Sequence, residues 1–217
     1  MRSTPLGSDE RCLTTSRRPR RKAYTGRSSS KARRNTPKYA FVLVKLFRVT
    51  PNPNLAEIKI PDATPEIVLK YAQTDEQALL AKVRYNRLID IFLSITAHSL
   101  QSHMRTTVVD VGQIETDEVH VGVDSGGVHY VVPVQAKGGS DELGSVQTEQ
   151  DLAWAWLKFP DLVARAVGVQ FASDDVIAMF KLTETADGIR IASERHYRLV
   201  PRDEITPEDL LRYRTTS

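Results

Sequence analysis

The sequence predicts an α/β domain in which helices flank a mixed central β-sheet. Segments with the two-residue apolar alternation of strands occur throughout the second half of the chain. Helix start signals stand between them, and the order is helix, strand hairpin, helix and further strands. Interleaving of this kind is typical of α/β folds, and not of proteins in which helices and strands form separate blocks.

The first predicted strand covers residues 39–49, which are rich in β-branched and aromatic side chains. Prolines and asparagines at 50–54 end it. A helix is then predicted from Thr64, Pro65 and Glu66, because a capping hydroxyl precedes a proline at the first helical position and an acid in the first turn.

A long amphipathic helix is predicted to follow. Thr74 with Gln77 three residues later forms a capping box, and the helical pattern continues to about His103. The apolar stripe of this helix comprises Leu80, Val83, Leu88, Ile91, Phe92 and Ile95.

Two antiparallel strands are predicted over residues 114–123 and 129–134. The Asp-Ser-Gly-Gly sequence at 124–127 joins them as a hairpin turn, since glycine adopts positive φ without steric cost. A second helix is predicted over 147–159, followed by strands over 166–171, 176–182, 189–191 and 196–200 and a terminal helix that begins at Thr206.

Charge divides the chain into two parts. Residues 1–38 contain 12 Lys/Arg and 2 Asp/Glu, which leaves 18 basic and 25 acidic residues in 39–217. The first part has a net charge of +10 and few large apolar side chains, so it is predicted to be a disordered basic arm. The domain over 39–217 has a net charge of −7. Polyanion binding, an organellar transit peptide and a plain solubilising leader are the alternatives for the arm.

Composition limits the function classes further. One cysteine, Cys12, excludes a disulfide framework within the chain, and the five histidines have no metal-ligand spacing. No apolar segment approaches the roughly 20 residues of a membrane span. We expect a protein without a membrane partner, in the cytoplasm.

The residues best suited to form a functional site lie at the end of the second hairpin strand. Gln135 and Lys137 lie two residues apart and share one face of that strand, while Val132, Val134 and Ala136 share the other. The antiparallel partner strand brings an acidic cluster at 115–118 beside this end. Within the cluster Asp117 is the preferred site residue, and a one-residue bulge would bring Glu115 or Glu118 into its place.

These residues resemble the PD-(D/E)-x-K nuclease superfamily, which has an acid on one strand and an acid-x-Lys motif on the next. Lys137, Gly138, Gly139, Asp141, Leu143 and the helix-opening Gln147 resemble the corresponding stretch of its VRR-NUC branch. The resemblance covers residues 74–156, and Gln135 departs from it because it replaces the usual acid.

The resemblance implies a restriction endonuclease-like core and a Mg²⁺ or Mn²⁺ site. The implied ligands are Asp117, Gln135, Glu76 and the backbone carbonyl of Ala136. Lys137 is the implied catalytic amine, which would orient or deprotonate water, and Gln147 the implied amide that holds a phosphate or the lysine.

The resulting hypothesis is a metal-dependent endonuclease that acts on DNA, for which a restriction or defence role and a homodimer are options. The alternative is a catalytically inactive nuclease-fold module that binds nucleic acid or a protein, since Gln135 brings no charge. A third is a protein-interaction domain in which the strand-end lysine has no chemical role.

Overall fold

A computed structural model describes residues 48–71, 76–108, 112–138, 141, 143–173 and 175–215. The predicted basic arm lies outside these residues, as do Cys12, Thr74 and most of the predicted strand 39–49. Only the end of that strand is described, as β1 (Arg48–Val49).

The other strands are β2 (Glu57–Pro61), β3 (Thr96–Val108), β4 (Gly112–Val123), β5 (His129–Lys137), β6 (Leu143–Gly144), β7 (Val163–Ala164), β8 (Ala166–Ser173), β9 (Val176–Thr185) and β10 (Gly188–Val200). The helices are α1 (Glu66–Tyr71), α2 (Glu76–Tyr85), α3 (Leu88–Leu93), α4 (Ser145–Lys158), a single 3-10 turn (Arg202–Glu204) and α5 (Pro207–Thr215). None of the helices in the described part of the chain is long and apolar enough to cross a membrane.

The main sheet is mixed, as predicted. Its strand order is β2-β10-β9-β8-β5-β4-β3, and β7 pairs with β5 beside this path. β5 is parallel to β8, and β10 is parallel to β2, whereas the other neighbours in the path are antiparallel. The parallel β5–β8 pair requires a crossover, which α4 supplies.

Helices cover both faces of the sheet. On one face α2 and α3 pack against even-numbered residues of β5, with Leu79, Leu80, Val132, Val134 and Ala136 in one buried cluster. On the other face Trp154 and Ala155 of α4 pack against Val119 and Val131. The alternation predicted for β5 is therefore confirmed, and it leaves the end of this strand between two helical layers.

The predicted long helix to His103 is wrong. α2 ends at Tyr85, α3 covers only Leu88–Leu93, and the chain then becomes the 13-residue strand β3. Arg87 and Ser94 adopt left-handed backbone conformations that interrupt the helix at each side of α3. Pairing of β3 with β4 over almost its whole length outweighs the local helical pattern. Ile91, assigned to the apolar stripe, is 45% exposed.

Other elements agree with the sequence more closely. α1, α4, α5, β8 and β9 lie where they were predicted, within a few residues at their ends. The predicted strands 189–191 and 196–200 are one strand, β10, with a register shift between Ile191 and Ser193. β2 was not predicted, and it forms the parallel edge beside β10.

Candidate functional site

The site lies where β4 and β5 separate. Their pairing runs from Val123↔His129 to Glu118↔Val134 and ends there. One residue further along β4, the Asp117 carboxylate accepts a hydrogen bond of 2.8 Å from the backbone N–H of Ala136. The Asp117 side chain thus takes the place that a backbone carbonyl of β4 would have in the paired region of the sheet. This hydrogen bond fixes Asp117 against the end of β5.

A local irregularity in β4 produces this arrangement. Val119 packs with Trp154 of α4, and Thr116 also reaches α4, where its hydroxyl contacts Asp151. Residues three apart on a regular strand point to opposite faces, so the alternation breaks between them. Opposite this break, in β3, His103 has a φ of 48°. The sequence suggested that a bulge here would bring Glu115 or Glu118 into the place of Asp117, but the irregularity leaves Asp117 directed toward β5.

Lys137 ends β5 and reaches α2. Its Nζ lies 3.0 Å from Oε1 of Glu76, the first residue of that helix, and the two side chains are 15% and 33% exposed. The predicted ammonium and the predicted helical carboxylate therefore form a partly shielded ion pair. Gln135 and Lys137 occupy alternate strand positions as expected, yet their polar ends contact different helices.

Electrostatics connect Asp117 to this pair. Burial raises the pKa of the Asp117 carboxyl above its ordinary value, and the Glu76 carboxylate adds to the rise. The N–H of Ala136, the Lys137 ammonium and His103 act in the opposite direction. Asp117, Glu76 and Lys137 are thus close enough to influence one another, with two acids near one amine.

Gln135 is 3% exposed and turns its amide group toward α4. Its Nε2 donates to Oδ2 of Asp151 at 2.9 Å and to the backbone carbonyl of Glu115 at 3.0 Å. The Thr116 hydroxyl donates to the other oxygen of Asp151 at 2.5 Å. Because Nε2 is fully used, the Gln135 carbonyl oxygen is the group left to accept from, or coordinate, a ligand.

Asp151 is the site residue that sequence reasoning missed. Its side chain is 1% exposed, and burial raises its pKa to about 7, with a further rise from Asp117 and opposing bonds from Thr116 and Gln135. The signal was present in the sequence. Asp151 precedes the buried Leu152 and lies four residues before the buried Ala155, so it occupies a core position of α4. Aspartate is rarely fully buried at such a position unless it has a polar partner.

The other candidates lie elsewhere. Glu115 is exposed and binds Arg105 through two bonds of 3.0 and 2.7 Å. Glu118 is fully buried on the α2 side, where Arg84 and Ser99 donate to it. Gln147 lies half-buried in the first turn of α4, and its side chain forms no hydrogen bond to the described residues.

A hard cation would meet suitable donors here. Asp117 and Glu76 supply carboxylate oxygens, and Gln135 supplies an amide oxygen, the ligand types that Mg²⁺ prefers. The N–H of Ala136 points toward β4 beyond the paired region, and since the N–H and C=O of a strand residue point the same way, its carbonyl does too. Within the described residues no group of three or more His, Cys, Asp or Glu side chains is arranged to hold a metal ion. The donor types suit Mg²⁺, with two acids and two neutral oxygens contributed by α2, β4 and β5.

Comparison of the chain with protein-family models, curated proteins and solved structures gives no match.

Proposed function

We propose that this protein is a Mg²⁺- or Mn²⁺-dependent endonuclease that hydrolyses phosphodiester bonds in DNA, built on a restriction endonuclease-like core. One observation carries the proposal. An acid at the point where two strands separate, an amine at the end of the neighbouring strand and a helical carboxylate influence one another electrostatically. That combination matches the needs of phosphodiester hydrolysis, which requires both metal ligands and a group to act on the attacking water.

The chain's own residues have distinct roles in this proposal. Asp117 is held by the backbone of β5, so its free carboxylate oxygen has a fixed position. Lys137, held by Glu76, would orient or deprotonate the attacking water and stabilise the negative charge that develops on the phosphate. Gln135 would present its carbonyl oxygen, because Asp151 and the Glu115 carbonyl fix the amide.

The proposed metal would be held by Asp117, Glu76, the Gln135 carbonyl oxygen and the backbone carbonyl of Ala136. When bound, it would stabilise charge on the scissile phosphate and lower the pKa of water. The Glu76 carboxylate contributes to the raised pKa of Asp117, a like-charge repulsion that a bound cation would relieve. The raised pKa of Asp117 is consistent with such a site.

DNA is the proposed substrate and partner. The body over 39–217 has a net charge of −7, so general affinity for a polyanion would depend on the +10 segment 1–38 and on local basic groups. A restriction or defence role, a homodimer and a cytoplasmic location fit this proposal as further hypotheses.

The second candidate function is a catalytically inactive module that binds nucleic acid. Gln135 favours it, since its amide is neutral and both hydrogens of Nε2 are engaged. Fold by itself does not decide between an enzyme and a binding module. Metal-dependent turnover distinguishes an enzyme from a binding module.

Plasmid cleavage by the full chain distinguishes the two. Supercoiled plasmid is incubated with Mg²⁺, Mn²⁺ or EDTA, and the same reactions contain Asp117→Asn. We expect nicking or linearisation with metal only and loss of it in the variant. Retained DNA binding by a band-shift assay, without cleavage in any metal, would support the inactive module and overturn the endonuclease.

A further inference from the structure

A cavity separate from the candidate site lies on the α2 face of the sheet. Its volume is about 190 Å³, and it lies between the end of α2, the start of α3 and the strands β3 and β4. Two guanidinium and two imidazole side chains line it, namely those of Arg84, Arg87, His98 and His120. Val83, Ile89 and Ala97 supply apolar walls, and Ser99 and Asp90 complete the lining.

One buried nitrogen that lines this cavity forms no hydrogen bond to the described residues. His120 is 5% exposed, and its Nε2 forms no hydrogen bond to the described residues. It lies 3.4 Å from Oε1 of Glu118, a contact without hydrogen-bond geometry. Oε2 of the fully buried Glu118 also has no partner in the described part of the chain, but Glu118 does not line the cavity. An unpaired buried nitrogen is costly, and a bound acceptor is one way to satisfy an N–H at His120.

Donors exceed acceptors around this space. Glu118 already receives Arg84 Nε at 3.0 Å and the Ser99 hydroxyl at 2.5 Å, and Asp90 is paired with Arg87. Each carboxylate accepts through one oxygen, Oε1 of Glu118 and Oδ1 of Asp90, while each guanidinium retains further N–H groups. Arg84 and Arg87 remain 45% and 56% exposed at their side chains, so a ligand can reach them from solvent.

We propose that this cavity binds a phosphate group, held by Arg84, Arg87 and His120 with His98 at its mouth. Planar guanidinium groups match phosphate oxygens bidentately, and an imidazole N–H adds a third direction. The cavity has room for one phosphate and part of the group attached to it. Either a phosphate of a nucleic-acid strand or a free phosphate monoester would meet the same donors.

Geometry favours the strand. Glu76 and Arg84 lie eight residues apart on α2, so they are separated by about 12 Å along the helix axis. Successive phosphates of one strand advance by about 3.4 Å along a duplex, so this distance equals about three or four nucleotides. This identification of the ligand source rests on the proposed nuclease function, whereas phosphate binding itself does not.

Phosphate titration followed by NMR of the histidine side chains tests the site in the full chain. Inorganic phosphate should shift the imidazole signals of His98 and His120 saturably and leave those of His129 and His196, which lie outside the cavity, unchanged. Arg87→Gln should weaken binding about tenfold or more, since it removes a charge-assisted, bidentate contact to the phosphate.

Arg105→Gln is the matched control, because Arg105 is another exposed arginine paired with one carboxylate but lies away from the cavity. It should leave the histidine shifts as in the unaltered protein. His120→Asn adds a second test inside the cavity. Failure of phosphate to shift His98 and His120, or equal affinity of the Arg87→Gln and Arg105→Gln proteins, would overturn the proposal.

Oligonucleotides distinguish the sources of the phosphate. With EDTA present to prevent cleavage, a 5′-phosphorylated strand and its 5′-hydroxyl twin are compared. Tighter binding of the first, sensitive to Arg87→Gln, identifies a terminal phosphate, and equal binding with the same sensitivity identifies an internal one. Binding of inorganic phosphate alone, with neither strand sensitive to Arg87→Gln, identifies a free phosphate ligand and contradicts the strand assignment. None of these outcomes depends on cleavage.

Discussion

The ammonium of Lys137 lies 3.0 Å from the carboxylate of Glu76, which joins the end of β5 to the first residue of α2. The two residues are 61 positions apart in sequence. Asp117 is held beside them by the N–H of Ala136. The acid and the amine that the proposed chemistry needs are therefore brought together by tertiary structure and not by one local motif.

Glu76→Gln should reduce metal-dependent cleavage and raise the Mg²⁺ concentration needed for half-maximal rate by about tenfold or more, since it removes a charged ligand. The free energy of unfolding should change by less than about 1 kcal/mol, because the ion pair is partly exposed. Cleavage rates across a Mg²⁺ titration check this. Glu66→Gln, at the equivalent first-turn position of α1, is the control. An unchanged Mg²⁺ requirement would remove Glu76 from the metal site.

Asp151 should make stability depend on pH. Its pKa of about 7 in the folded protein exceeds the unfolded value of about 3.9, so the folded state binds more protons between these values. The free energy of unfolding therefore falls as pH rises from about 4 to about 7, by at most about 1.4 kcal/mol per pH unit.

Asp151→Asn should flatten that profile and make the protein more stable than the unaltered chain at pH 8, because asparagine stays neutral and can still accept from Gln135. Urea unfolding at several pH values measures this. Asp187→Asn, at an exposed turn residue, should leave the profile as it was. Identical slopes for the two variants would show that Asp151 does not hold its proton into this range.

Glu118 should affect the pH dependence of stability in the direction opposite to Asp151. Although burial opposes its ionisation, His120, Arg84 and Ser99 lower its pKa to about 2. The stabilisation it provides is present above the ordinary value near 4.5 and is lost as pH falls toward about 2. Glu118→Gln should reduce the free energy of unfolding at pH 7 by about 2 kcal/mol. Glu115→Gln on the same strand should cost little, since its pair with Arg105 is exposed. Equal losses for both would contradict the buried role of Glu118.

Gln135→Glu should destabilise the protein, because a carboxylate would replace the amide that donates to Asp151 and to the Glu115 carbonyl. A glutamate at position 135 thus requires a change in α4 as well. The Gln135→Glu, Asp151→Asn double variant should recover most of the lost stability, since the asparagine amide can donate to the new carboxylate. Thermal unfolding of the four proteins in the cycle measures the coupling, and additive losses would exclude the interaction.

How much the sequence could predict differs between elements. The β4–β5 hairpin and the terminal helix α5 could be predicted, because each depends on turn or cap residues within a short stretch of sequence. β3 could not, because the left-handed residues Arg87 and Ser94 carry no glycine or asparagine signal and the strand depends on pairing with β4.

The candidate site could be predicted only in part, because some of its contacts depend on local strand geometry and others on tertiary structure. Lys137 and Asp117 follow from hairpin geometry, and Glu76 follows from resemblance. The contact between Asp151 and Gln135 depends on how α4 crosses the sheet, which no spacing within the strand defines. The local break at Asp117 likewise depends on Thr116 reaching α4 while Glu118 turns to α2.

Single-turnover cleavage of a labelled DNA duplex by the Lys137→Ala protein in saturating Mg²⁺ tests whether Lys137 acts in phosphodiester hydrolysis. Lys158→Ala, at an exposed position at the end of α4, is the control and should cleave as the unaltered protein does. We expect a rate at least about 100-fold lower for Lys137→Ala with unchanged thermal stability, because loss of such a group commonly costs that much. A rate within about threefold of the unaltered protein, well inside the range expected for a residue with no part in the chemistry, would contradict it.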